Sequence, residues 1–152
     1  MIEWYADDKL KILFSCKPKV DIRYITPNST QREIASIKKY PFANKKTLEV
    51  IIADGDRTHG FVIPVFNFDG LSIPRFAWTL IGVSKEDNRG LIAALIHDFL
   101  CTHRELILYN RALSTNVFNA LLIVGGMNPL QRFVMKNCVA FYQTVFCNWG
   151  KV

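Results

Sequence analysis

A histidine and an aspartate stand side by side inside an apolar run: His97-Asp98 in LIAALIHDFLCTH, residues 91–103. Upstream, NFDGLSIPRFAW (67–78) supplies Asp69, Ser72 and Arg75 around a rigid Ile73-Pro74 step. Burying an imidazole or a carboxylate without partners is costly. The polar loop is the natural supplier. Asp69 can accept from an imidazole, Ser72 can donate a hydroxyl, and Arg75 can form a bidentate pair with Asp98.

Two kinds of chemistry fit these residue types. One is a buried polar network that fixes the fold, an ordinary structural device and the preferred reading. The other is hydrolysis, with Asp69, His97 and Asp98 holding a divalent metal such as zinc and its activated water. A metal-free version takes Cys101, one turn from His97 on the same helix face, as nucleophile and His97 as base. An apolar helix is a poor setting for the low-pKa thiol this needs. The spacing matches neither HExxH nor the other metalloprotease signatures. A phosphohydrolase of the His-Asp type needs a further helical histidine, and His59 in GDRTHG reads as an exposed turn residue. His103 falls about 240° round the helix from His97. It is expected to meet the helix C-terminus or Glu105. The Asp54-Gly55-Asp56 stretch lacks the downstream glutamate of a calcium loop.

The elements that must position these groups change character along the chain. The segments 10–14, 20–25, 47–52 and 61–66 are short and β-rich. Pro64 suits an edge or a bulge. Residues 47–66 read as a hairpin whose long turn is ADGDRTHG (53–60), and residues 26–40 as a short helix or a wide loop. The second half is helical. A helix spans about 88–104, with Ser84 or Asn88 as cap. A second follows Ser114 and stops at Gly125-Gly126. Asn128-Pro129 opens a third. Strands first and helices after predict one α+β domain over 1–152, an N-terminal antiparallel sheet with about three C-terminal helices packed on one face.

Composition limits the function classes. The chain is 50% hydrophobic and 21% charged, as in a globular domain. Mean hydropathy is +0.13, and runs such as LIAALI are too short to cross a bilayer. The MIEWYADDKL start has acids where a signal peptide needs a basic, then apolar, segment, so a cytoplasmic protein is expected. Cys16, Cys101, Cys138 and Cys147 form no CxxC pair and read as reduced, buried small residues. The net charge is +6. Basic residues gather early, at Lys9, Lys11, Lys17, Lys19, Arg23, Lys38, Lys39, Lys45 and Lys46, among Tyr24 and Tyr40. They form either a patch for nucleic acid or another anionic surface, or the wet face of strands and turns. No recognition-helix or RNA-binding signature accompanies them.

The pairing of DGLSIPR (69–75) with HDFL (97–100) resembles a tailed-phage and prophage family, the domain-of-unknown-function family 1353. Its members show an Asp-x-x-Ser-Val/Ile-Pro-Arg loop, a tryptophan (here Trp78), then a helix with His-Asp-x-Leu that usually ends in tyrosine. The resemblance covers about residues 60–145 and carries over to Asp69, Ser72, Pro74, Arg75, His97 and Asp98. Two departures count. Cys101 replaces the tyrosine. Ser114-Thr115-Asn116-Val117-Phe118 stands where the family has an Ala-Asp pair before a phenylalanine. If that acid is a ligand or base in relatives, this chain lacks the activity. The resemblance implies a phage protein in the host cytoplasm or the virion. The favoured expectation is a non-enzymatic binder of a host or phage protein: a host-factor inhibitor, or a virion-associated component. Trp4, Tyr5 and Trp149 are its candidate exposed aromatics, and the basic half offers a nucleic-acid surface. The alternative is a metal-dependent hydrolase of peptidoglycan or nucleotides. On the favoured reading there is no cofactor.

Overall fold

The computed structural model describes residues 1–71, 74–84, 86–147 and 149. Strands β1 (Ile2–Ala6), β2 (Leu10–Phe14), β5 (Leu48–Asp54) and β6 (Arg57–Ile63) form one antiparallel sheet in the order β1-β2-β5-β6. Alternation makes it one-sided: Leu10, Ile12 and Phe14 are buried with Leu48, Val50, Ile52, Phe61 and Ile63, while Lys11, Glu49 and Val62 face water. A second sheet joins β3 (Asp21–Ile22), β4 (Phe42–Asn44) and β7 (Phe66–Phe68) in the order β3-β4-β7. Helix α1 (Gln31–Lys39) lies between β3 and β4, its first turn capped by the Thr30 hydroxyl.

The hairpin is tighter than the sequence suggests. β5 and β6 pair through Asp54 and Arg57, so the turn is only Gly55-Asp56, with Gly55 at φ +59°. A glycine in that position matches the twist of the strands, which a longer loop would not use. His59 therefore pairs with Ile52 inside β6, half-buried rather than exposed in a turn. Pro64 does end a strand. It has no N–H for the ladder, β6 stops at Ile63, and the chain resumes as β7 in the other sheet.

Helix α2 (Arg75–Ile81) occupies part of a stretch that reads as loop. Pro74 precedes it and Gly82, at φ +65°, ends it. Helix α3 (Leu91–Thr102) has Gly90 at its cap position, without a side-chain cap, so neither Ser84 nor Asn88 serves. The Asp87 carboxylate instead turns the preceding chain by accepting from the Arg89 backbone N–H at 3.0 Å. A 3-10 turn (Arg104–Ile107) follows, then Leu108 and Tyr109, both left-handed at φ 55° and 58°. Asn110, not Ser114, caps α4 (Arg111–Gly125), accepting from the Leu113 N–H at 3.0 Å. Ser114 lies one turn inside and is buried. Gly126 stops α4 as expected, and Asn128 and Gln131 form a full capping box at the start of α5 (Pro129–Phe146).

Gly125 is required by packing. A Cβ there would sit 1.9 Å from the Arg89 carbonyl oxygen, so α4 can approach the start of α3 only at a glycine. Gln131 ties the same corner, donating to the Ile81 carbonyl at 3.0 Å and accepting from Arg89 at 3.1 Å. The single core joins the inner face of the four-stranded sheet to Leu95, Ile96 and Leu100 of α3 and Phe118 of α4. The architecture is α+β, as the element order implies. Among the described residues no helix is long and apolar enough to cross a membrane.

Candidate functional site: the His97–Asp98 cluster

His97 projects from the middle of α3 into the space between α4 and α5 and is buried. The Gln143 Nε2 lies 2.7 Å from its Nε2. An amide N–H donates, so this ring nitrogen accepts and the proton resides on Nδ1. Nδ1 faces the Asp98 Oδ1 at 3.5 Å, long for a hydrogen bond but close enough for the carboxylate to hold the ring's orientation. Gln143 is fully buried and shared: its Nε2 also donates to the Ser114 Oγ at 3.1 Å, and its Oε1 accepts from the Thr115 Oγ1 at 3.1 Å. The ring of Phe118 meets the imidazole edge-on at 5.4 Å. One histidine, one amide and two hydroxyls thus lace three helices together.

The 69–75 loop does reach this helix. The Asp69 backbone N–H and carboxylate both act on Asp98, and Gly70 and Leu71 line a recess of about 10 Å³ with His97, Asp98 and Tyr142. That is room for about one water. Burial holds the Asp98 carboxyl above its ordinary range, and the neighbouring Asp69 charge pushes the same way. His97 and the Asp69 N–H oppose these without cancelling them. The remaining loop residues diverge. Arg75 opens α2 and is exposed, and among the described residues no ion pair joins it to Asp98. Its helical start turns it to solvent, where a loop would have left it free to fold inward. Pro74 is exposed at the cap position of α2. Ser72 lies outside the described residues.

The thiol chemistry does not fit. The Cys101 Sγ lies 3.5 Å from the His97 Nε2. Burial pushes this thiol far above the ordinary cysteine range, and neighbouring Cys147 and Asp98 reinforce the shift. Only the thiolate is a nucleophile. All four cysteines are free and half-buried. Among the described residues no group of three His, Cys, Asp or Glu is arranged to hold a metal ion. His97 turns Nε2 to the Gln143 amide and Nδ1 to the Asp98 carboxylate. His103 behaves as expected, 3.6 Å from Glu105, with its ring also 4.5 Å from that of Phe99.

Gln143, Ser114 and Thr115 are the members of the cluster that sequence reasoning missed. A signal for the first existed: Met135, Val139 and Gln143 recur every four residues, so Gln143 continues a buried stripe. A lone amide there calls for an internal partner.

The fold and the cluster together define a small α+β domain whose helical layer is pinned by a buried histidine–glutamine contact. The chain belongs to the family described as Protein of unknown function (DUF1353), which matches residues 46–139. No curated protein and no solved structure matches it. The match runs from the Lys45-Lys46 turn into α5. It includes Asp69, His97, Asp98 and Thr115, and ends before Gln143.

Proposed function

We propose that the protein acts by binding another protein and not by catalysis: a phage protein, working in the host cytoplasm as a host-factor inhibitor or carried in the virion. In this reading the His97–Asp98 cluster is structural. The observation that carries it is an uncovered apolar face on α2 and α5. Phe76, Leu80, Leu130, Phe133 and Phe141 all stand out, with exposures from 63% at Leu130 to 74% at Phe76. On α5, Leu130, Phe133 and Phe141 fall within about 80° of one another round the helix, α2 packs on α5, and exposed apolar surface of this kind marks interaction sites. Neither helix contains an acid, and Arg75 and Lys136 are exposed beside the patch. The matching partner surface is therefore apolar with a neutral or acidic rim. Trp4, Tyr5 and Trp149 do not contribute as the sequence suggested, because all three pack partly buried against the core.

The test is a paired capture. Tagged wild type and Phe76→Glu/Phe133→Glu are passed over host lysate and phage particles, with circular dichroism to show that both fold. A partner held by the wild type and lost by the variant is the expected result. Turnover of peptidoglycan or nucleotides by the purified protein, abolished by His97→Ala, would reverse the reading in favour of a hydrolase.

A further inference from the structure

A cleft opens among the connections of the strand-rich part of the chain. It has a volume of about 770 Å³, within the roughly 300–1,000 Å³ typical of small-ligand sites. Lys17 and Lys19 stand on it from the connection between β2 and β3, and Lys45 and Lys46 from that between β4 and β5. All four are exposed. Cys16, half-buried, lies among the lining residues, and Leu48 of β5 and Leu95 of α3, both closed to solvent, seal the cleft from the core side. Asp21 supplies the one acid among its described lining residues, and the Lys19 ammonium is 3.8 Å from it. An exposed pair that long neutralises little.

The lysines are carried on anchored chain. Asn44, buried at the root of the second connection, donates to the carbonyls of Lys46 at 3.0 Å and Pro64 at 2.9 Å, and accepts from the Phe66 N–H at 2.9 Å. Ser15, at the root of the first, donates its N–H to the Glu49 carbonyl at 3.0 Å and accepts the Glu49 N–H at 2.9 Å. Four exposed lysines lining one cleft raise the local positive potential, which an anion would answer. Lysine meets phosphate as a point charge, and its apolar stem suits a flat ring attached to that phosphate.

We propose that this cleft binds the phosphate chain of a nucleotide, free or at the end of a nucleic-acid strand, with its sugar and base against Cys16 and the apolar stems of the lysines. The site is separate from the α2–α5 face and does not depend on it. Binding falls with added salt, because the contacts release counterions.

The full-length protein is titrated at low salt with three probes: fluorescent ATP, inorganic triphosphate, and a 5′-phosphorylated single-stranded oligonucleotide. Saturable binding of ATP or oligonucleotide is expected, tighter than triphosphate and weakened about tenfold by Lys45→Ala/Lys46→Ala. Lys38→Ala/Lys39→Ala, on α1 outside the cleft, should leave it unchanged. Tighter ATP than oligonucleotide identifies a free nucleotide, and the reverse order identifies a strand end. Three results would overturn the proposal: no binding of ATP or oligonucleotide, equal weakening by both lysine pairs, or triphosphate binding as tightly as ATP. Melting temperatures of the variants separate lost binding from lost fold.

Discussion

Around His97 the polar atoms are answered from inside the fold, whereas the four lysines at the strand-side cleft share among the described lining residues one acid, Asp21. Both regions border α3: His97 and Leu95 are two residues apart on the same helix. One side carries an imidazole with both nitrogens engaged and an amide shared among three residues. The other carries four cations facing a single acid. The difference teaches where to look for function here. A buried polar group must be satisfied for the chain to fold, so a complete set of partners marks structure. An exposed charge has no such requirement, so a convergent, uncompensated set has room for a ligand.

The contrast can be broken at either end. The largest effect is expected from His97→Ala. It removes a buried ring, strands the Gln143 amide and leaves half-buried Asp98 without its neighbour. A loss of about 3 kcal/mol in urea unfolding should follow, with nucleotide binding by the folded protein unchanged. Adding Gln143→Leu should cost about 1–2 kcal/mol less than the two single changes summed, since the pair is in contact. A loss below about 0.5 kcal/mol for His97→Ala would mean that the network pins nothing.

Asp98→Asn comes next, with the opposite sign. Asp98 holds its proton more tightly in the folded chain than in the unfolded one. Stability from this group is therefore greatest at low pH and declines as pH rises from the ordinary aspartate value of 3.8 through the raised folded value. Asparagine removes that decline. At pH 7 the variant should melt a few degrees above wild type, and the gap should close as the pH approaches 4. A gap that is constant across this interval would show that ionisation of Asp98 is not its cause. The smallest effect belongs to Lys45→Ala/Lys46→Ala, which should shift stability by under about 0.5 kcal/mol while weakening phosphate binding. A large stability loss there would make the lysines structural and erase the contrast.

Legibility in the sequence followed the range of the forces involved. β2 was readable to the residue because five positions alternate, and the start of α5 because Asn128 and Pro129 act within one turn. Helix α2 escaped notice because seven residues are too few for a periodic pattern, although proline before and glycine after are its punctuation. The two sheets read as one because, from sequence alone, Pro64 fits a flaw in a single strand as well as the step between sheets. Half of the cluster was visible: Asp69, His97 and Asp98 do converge. Arg75 does not join them, since α2 carries it outward. The burial of Gln143 can be read from the Met135–Val139 stripe, but its contact with His97 cannot. Its partner lies 46 residues away, and no local rule connects them.

The turn between α3 and α4 has a consequence of another kind. Leu108 and Tyr109 both adopt the left-handed conformation, which costs a side-chain-bearing residue about 1–2 kcal/mol. Leu108 is more than half exposed, so its side chain recovers little of that by packing. The reversal it makes is nonetheless what brings Ser114 and Thr115 back alongside His97. Glycine at 108 would keep the reversal and shed the strain. In genetic terms, Leu108 is where a second-site suppressor of a weakened histidine network should map, far from any atom that the first mutation touched.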